Sequence, residues 1–96
     1  MAIVMDAVLA KFAHGQFLET AGARTMLSRM DLAQAFARHL AGDWGEVDAE
    51  DWERNEQALA RNERLLSRYT THCGIVHWVI TEADRSATTV LLPEEY

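Results

Sequence analysis

The chain has 96 residues, 49% of them hydrophobic and 25% charged, with one cysteine and a net charge of −6. That length makes one domain able to bury a core without metals or disulfides, and its apolar content excludes a wholly disordered chain. Residues 1–41 carry +1 and residues 64–96 carry −1, so the acidity belongs to residues 42–63, where eight carboxylates stand against Arg54 and Arg61; such a balance disfavours direct binding to nucleic-acid phosphates and favours a protein partner with a basic surface.

The first ten residues are apolar but include Asp6 and lack a leading basic cluster. They match neither a signal peptide nor a membrane span, so no membrane association is expected and the cytoplasm is the expected compartment. Ile3, Val4, Ala7, Val8 and Phe12 have helical spacing, so residues 1–14 form either a short helix or an appended arm. Gln16–Glu19 reads as a short strand. Thr20 then caps a helix with apolar positions Ala23, Met26, Leu27 and Met30. Asp31 with Gln34 three residues on has the capping-box pattern for a second helix, striped by Leu32, Phe36 and Leu40 and stopped by Gly42. Asp48 caps a third helix, with Val47 and Trp52 as a hydrophobic staple. Its apolar face is thin, Trp52, Leu59 and Leu66 recurring every seven residues beside Asn55, Glu56, Asn62 and Glu63, so Trp52 is expected to be its anchor.

From Leu65 the period becomes that of strands: Leu65–Thr70, Ile75–Thr81 and Thr88–Leu92, with turns at Cys73-Gly74 and Ala83–Ser86 and Pro93 ending the sheet. The middle strand is apolar on both faces, as a central strand should be. The expected fold is a single α+β domain over residues 1–96. Two to four N-terminal helices pack on a small C-terminal antiparallel meander of three strands, or four.

Few residues point to chemistry. His14, His39, His72 and His77 lack metal-site spacing, and a lone cysteine cannot form an intrachain disulfide or a cysteine cluster. His77 is expected to be a hydrogen-bonded sheet histidine, and Cys73 an inert turn residue beside His72. No catalytic residue, metal site or cofactor is expected, and no Gly-rich nucleotide loop is present. Two surfaces remain. One is the acidic segment, where Asp43, Trp44, Glu46, Glu50, Asp51, Glu53 and Glu56 compose either a solvated face or a protein-binding face that mimics a phosphate backbone. The other is the Glu82–Ser86 loop, where Glu82, Asp84 and Arg85 either stabilise the turn or bind a ligand alongside the C-terminal sheet.

Several stretches carry a resemblance: Ala37-Arg38-His39, Gly42-Asp43-Trp44-Gly45, Asp51, Asn55, Leu66-Ser67-x-Tyr69, and Trp78-x-Ile80-Thr81-Glu82-Ala83-Asp84-Arg85-Ser86 continuing to Leu91-Leu92-Pro93-Glu94-Glu95-Tyr96. From Gly15 to Tyr96 the chain resembles a family of small proteins encoded on plasmids and other mobile elements, often labelled as related to type I restriction–modification. Ala21 departs from it, standing where that family has a proline. The resemblance implies no enzymatic activity, since so short a chain cannot hold a methyltransferase domain. It implies a mobile-element setting, in which an acidic protein blocking a host defence complex (anti-restriction or anti-CRISPR) is a recurring type.

Overall fold

The computed structural model describes residues 10–96. In chain order they form β1 (Gln16–Glu19), α1 (Ala21–Met26), α2 (Arg29–Leu40), α3 (Ala49–Arg61), β2 (Leu65–Thr70), β3 (Val76–Thr81) and β4 (Ala87–Leu91), closed by a 3-10 turn at Pro93–Glu95. The fold is α+β, as expected. The helix proposed for Ile3–Phe12 lies almost wholly outside the described residues; Ala10–His14 are irregular. Among the described residues no helix is long and apolar enough to cross a membrane.

The sheet runs β1-β4-β3-β2. β2, β3 and β4 make the expected antiparallel meander, each strand within one residue of its expected bounds. β1 joins as a fourth strand, and it lies parallel to β4, Phe17 opposite Thr88 and Glu19 opposite Val90. The sheet is therefore mixed. The connection permits parallel pairing: α1, α2, α3, β2 and β3 separate the two strands, so no tight turn forces them antiparallel. Gly15 makes the entry to β1 with φ of +63°, and a Cβ there would lie 2.1 Å from the Ser86 carbonyl oxygen, so only glycine allows β1 to lie this close.

Alternation along the strands divides the sheet. Tyr69, Val79 and Val90 face α1 and α2 and pack with Ala23, Leu27 and Ala35, with Leu32 and Phe36 at the margin. Burying such side chains removes about 25 cal/mol per Å² of apolar surface from water and dominates the stability. Among the described residues no α-helix lies across the opposite row, which includes Leu66, Arg68 and Trp78; Tyr96 returns to make an edge contact with Trp78 at 5.4 Å. Glu95 ties that return to α1, accepting from the Thr20 hydroxyl and from the N–H groups of Gly22 and Leu92.

Two helix expectations change. The stripe from Ala23 to Met30 is broken: α1 ends at Met26, Leu27 is extended, and Met26 and Met30 are both more than half exposed. Ser28, and not Asp31, is the N-cap of α2. Its hydroxyl accepts from the Asp31 N–H at 3.0 Å, and the Asp31 carboxylate accepts from the Ser28 N–H at 3.1 Å. Starting three residues earlier satisfies two backbone donors in the same reciprocal way, those of Ser28 and Asp31, while adding nearly a full turn to the helix.

Candidate functional site

The acidic segment is built around the free edge of β2. Gly42 and Gly45, with φ of +82° and +75°, fold the loop so that Trp44 turns inward. The Arg68 N–H then donates to the Trp44 carbonyl at 3.1 Å, and the Glu46 N–H donates to the Arg68 carbonyl at 2.7 Å. Two residues along the strand, the side chain of Asn55 does the same work as a neighbouring strand. Its Nδ2 donates to the Leu66 carbonyl at 2.8 Å and its Oδ1 accepts from the Leu66 N–H at 3.1 Å. The edge of β2 is thus closed by a loop and one buried amide, which removes a template for strand pairing.

Trp44 and Trp52 have exchanged their expected roles. Trp44 is fully buried, packed with Ala58 and Leu65 and meeting Phe12 and His39, while Trp52 is 37% exposed. The staple partner Val47 packs beside Trp44, and Leu66 belongs to β2 and not to the helix. A buried indole N–H needs an acceptor, and Glu56 supplies it at 2.8 Å. The paired glycines flanking Asp43-Trp44 were the sequence signal for this tuck.

Each acidic residue can now be assigned. Asp43 pairs with Arg38 at 2.7 Å and accepts from the Gly45 N–H; the hydrogen bond from Arg38 holds its carboxyl below the usual range. That guanidinium also lies over the Tyr69 ring, whose hydroxyl donates to the Asp43 carbonyl. Glu46 accepts from Thr70, and Asp51 pairs with Arg54 at 2.9 Å. Asp48 is the N-cap of α3, as expected. Glu50 and Glu53 are exposed and have no hydrogen-bond or ion-pair partner among the described residues. With Asn55 and Ala58 facing inward, the helical period puts Glu50, Glu53 and Glu56 on the outer crest and Trp52 on its flank, one turn from Glu56.

The Glu82–Ser86 turn is committed to structure. Asp84 accepts from the Ser86 N–H at 3.0 Å, and contact with Ser86 lowers its pKa. Arg85 has a left-handed backbone, φ +62°. Its guanidinium donates to the carbonyls of Glu63 (2.7 Å), Ala58 (3.2 Å) and Glu82 (3.2 Å), capping the C-terminus of α3 where cations are favoured. It pairs with carbonyls, and with neither nearby carboxylate. Glu82 and Asp84 point to solvent at the turn while His77 is buried at the other end of β3, with Nδ1 on the Ile75 carbonyl. The structure does not bring these three together.

Sequence reasoning missed a buried polar chain. His39 is wholly buried, Nδ1 lying 2.6 Å from Ser67 Oγ and Nε2 2.8 Å from Thr81 Oγ1. Thr81 Oγ1 is 2.8 Å from Thr88 Oγ1, and Thr88 donates to the His14 carbonyl. Each hydroxyl has one proton, so the directions follow. Thr88 has spent its own, Thr81 must donate to Thr88, and the Thr81 oxygen accepts from Nε2–H, leaving Nδ1 to accept from Ser67. His39 is therefore the neutral Nε2–H tautomer. Burial, reinforced by Arg85, pushes its pKa down to about 3. Ser67 and His39 resemble a nucleophile–base pair in distance alone; both are fully buried, and they hold α2 to the sheet.

A groove of two adjoining clefts, each near 350 Å³, runs between α3 and the sheet, over Leu66, Arg68 and Trp78 with Asp51, Arg54 and Arg64 along its sides. Among the described residues no three His, Cys, Asp or Glu side chains are grouped to hold a metal ion. The chain matches no protein-family model, no curated protein and no solved structure.

Proposed function

We propose that this chain is a non-enzymatic interaction protein whose working surface is the outer crest of α3, and that it docks on a basic groove otherwise occupied by nucleic acid. One observation carries the reading. Glu50, Glu53 and Glu56 stand on one face beside the half-exposed Trp52, and Glu50 and Glu53 have no cationic partner among the described residues. Unneutralised carboxylates on a rigid helix offer a positive groove the charge spacing it seeks, and an exposed aromatic supplies the anchor typical of binding hot spots. The helix is also well fixed, by Asp48 at one end, Arg85 at the other and Asn55 between, so little ordering entropy is lost on docking. The resemblance to mobile-element proteins points the same way, toward inhibition of a host defence complex in the cytoplasm.

The test is a DNA-displacement assay against the type I restriction complex and the CRISPR effector complex of the host, at two salt concentrations. Wild type displaces DNA and does so less well at high salt. Glu50→Lys with Glu53→Lys abolishes displacement, and Trp52→Ala weakens it, both variants remaining folded. Glu56 is left alone, because it holds the Trp44 indole. Displacement unaffected by these changes would sink the reading.

A second reading, an accessory module that binds through the C-terminal sheet, rests on the groove, where the Trp78 indole N–H has no acceptor among the described residues. It does not enlist Arg85, whose donors are taken by the end of α3. Loss of binding on Arg68→Ala with the α3 crest intact would favour it.

A further inference from the structure

The two edges of the sheet are treated differently. On β2, Leu66 and Arg68 have both backbone groups closed by Asn55, Trp44 and Glu46. On β1 the other edge is bare among the described residues. The N–H groups of Gln16 and Thr20 donate to β4, at the carbonyls of Ser86 and Val90. Strand alternation then points the N–H and C=O of Leu18 to β4 as well, and those of Phe17 and Glu19 outward. The strand that carries them exposes large apolar side chains on both faces, Phe17 at 45% and Leu18 at 44%. Within Gln16–Glu19 there is no proline, no lysine and no bulge to blunt the edge; only the shortness of the strand and Glu19 act against pairing.

We propose that this edge pairs with a second copy of the chain, β1 against β1 in antiparallel register with Leu18 opposite Leu18 on the two-fold axis. The register follows from counting bonds. Centred on Leu18, Phe17 of each copy faces Glu19 of the other, and because these residues point outward they exchange both backbone bonds, four in all. Centring on Phe17 would bring Gly15 into the ladder, where its φ of +63° has already left the strand. Centring on Glu19 would pair Phe17 with Ala21, which is the first residue of α1. Only the Leu18 register keeps every outward group within a strand.

Charge permits a second copy at this edge and disfavours one that would set the two acidic segments against each other. Residues 1–41 carry +1, whereas the −6 of residues 42–63 sits beyond β2, at the far side of the sheet from β1. Pairing through β1 makes one eight-stranded sheet whose outermost β2 strands are roughly 34 Å apart, at about 4.8 Å per strand. That is several times the ~8 Å screening length at physiological salt, so the two acidic helices do not repel one another. It also leaves both α3 crests outward, at opposite ends. The pairing stands or falls independently of what those crests bind.

The test uses the full chain. Sedimentation equilibrium from about 10 µM to about 1 mM, the range of a small interface, is expected to show mass rising from one chain to two. Leu18→Lys, which sets two ammonium groups against each other on the axis, is expected to weaken association at least tenfold while circular dichroism stays unchanged. In a Cys73→Ser background, Leu18→Cys oxidises to a covalent dimer at least tenfold faster than Glu19→Cys, because only residue 18 faces its own copy within disulfide reach. A wild type that stays monomeric throughout, association unaltered by Leu18→Lys, or equal oxidation rates for the two cysteines would each overturn the proposal.

Discussion

Acid should destabilise this protein earlier than its carboxylates alone would dictate, and through one residue. His39 is held neutral by burial: its folded pKa is about 3, against 6.5 for the unfolded chain. Between those values the unfolded state binds a proton that the folded state does not. Stability is therefore complete above about pH 7 and falls as pH drops through 6.5 toward 3, at about 1.4 kcal/mol per unit. At pH 5 the loss from this group is about 2 kcal/mol, a large part of the 5–15 kcal/mol typical of a small domain. The carboxylates with lowered pKa values, Asp31, Asp43, Asp84 and Glu95, act in the same direction but only where carboxylates begin to protonate. The window from pH 7 to pH 5 isolates histidine. The assay is urea unfolding followed by circular dichroism at both values, for wild type and for His39→Gln. Wild type should lose about 2 kcal/mol more between them than the variant does, whatever the variant costs at pH 7. Nitrogen-detected imidazole spectra should show the Nε2–H tautomer unchanged down to pH 5. Equal losses in the two proteins, or a His39 titrating near 6.5, would refute the argument from burial.

Two further outcomes test the scaffold beneath the α3 crest. Asn55→Ala leaves the Leu66 N–H and C=O without partners, at a cost of about 2 kcal/mol, and amide exchange should speed up at Leu66 ahead of the strand interior; a change under about 0.5 kcal/mol would show that water replaces the side chain freely. Arg85→Ala removes the donors at the end of α3 while keeping a left-handed backbone, and Arg85→Gly removes the same donors but relieves the φ of +62°. Glycine should therefore be the milder change by about 1 kcal/mol in urea unfolding; the reverse order would mean that the backbone there carries no strain.

Legibility followed the range of the interactions. Thr20 and Asp48 cap the helices expected of them, because a hydroxyl or carboxylate satisfies donors three residues away wherever the chain sits. The meander was readable for the same reason, β-branched runs separated by turn residues being local. The start of α2 was misjudged where two local signals competed, Asp31 with Gln34 against Ser28 with Asp31, and the earlier start gives the longer helix. Which tryptophan is buried was not local at all. Trp52 has the staple spacing, yet Trp44 reaches the core because Gly42 and Gly45 allow the loop to fold onto an edge of β2 that lies more than twenty residues downstream.

By itself, then, the chain determined its α+β class, the order of its elements and the confinement of its acidity to residues 42–63. Only the tertiary structure decided that β1 lies parallel to β4, that His39 is sealed in a hydroxyl chain, and that Arg85 is a helix cap. It also reduced seven candidate residues around α3 to Glu50 and Glu53 on its outward crest, by committing Asp43, Trp44, Glu46, Asp51 and Glu56 to partners within the fold. The physical reason is common to all of these. A side chain's spacing says which neighbours it has along its own element, whereas its exposure and its hydrogen-bond partners depend on which other element arrives opposite it.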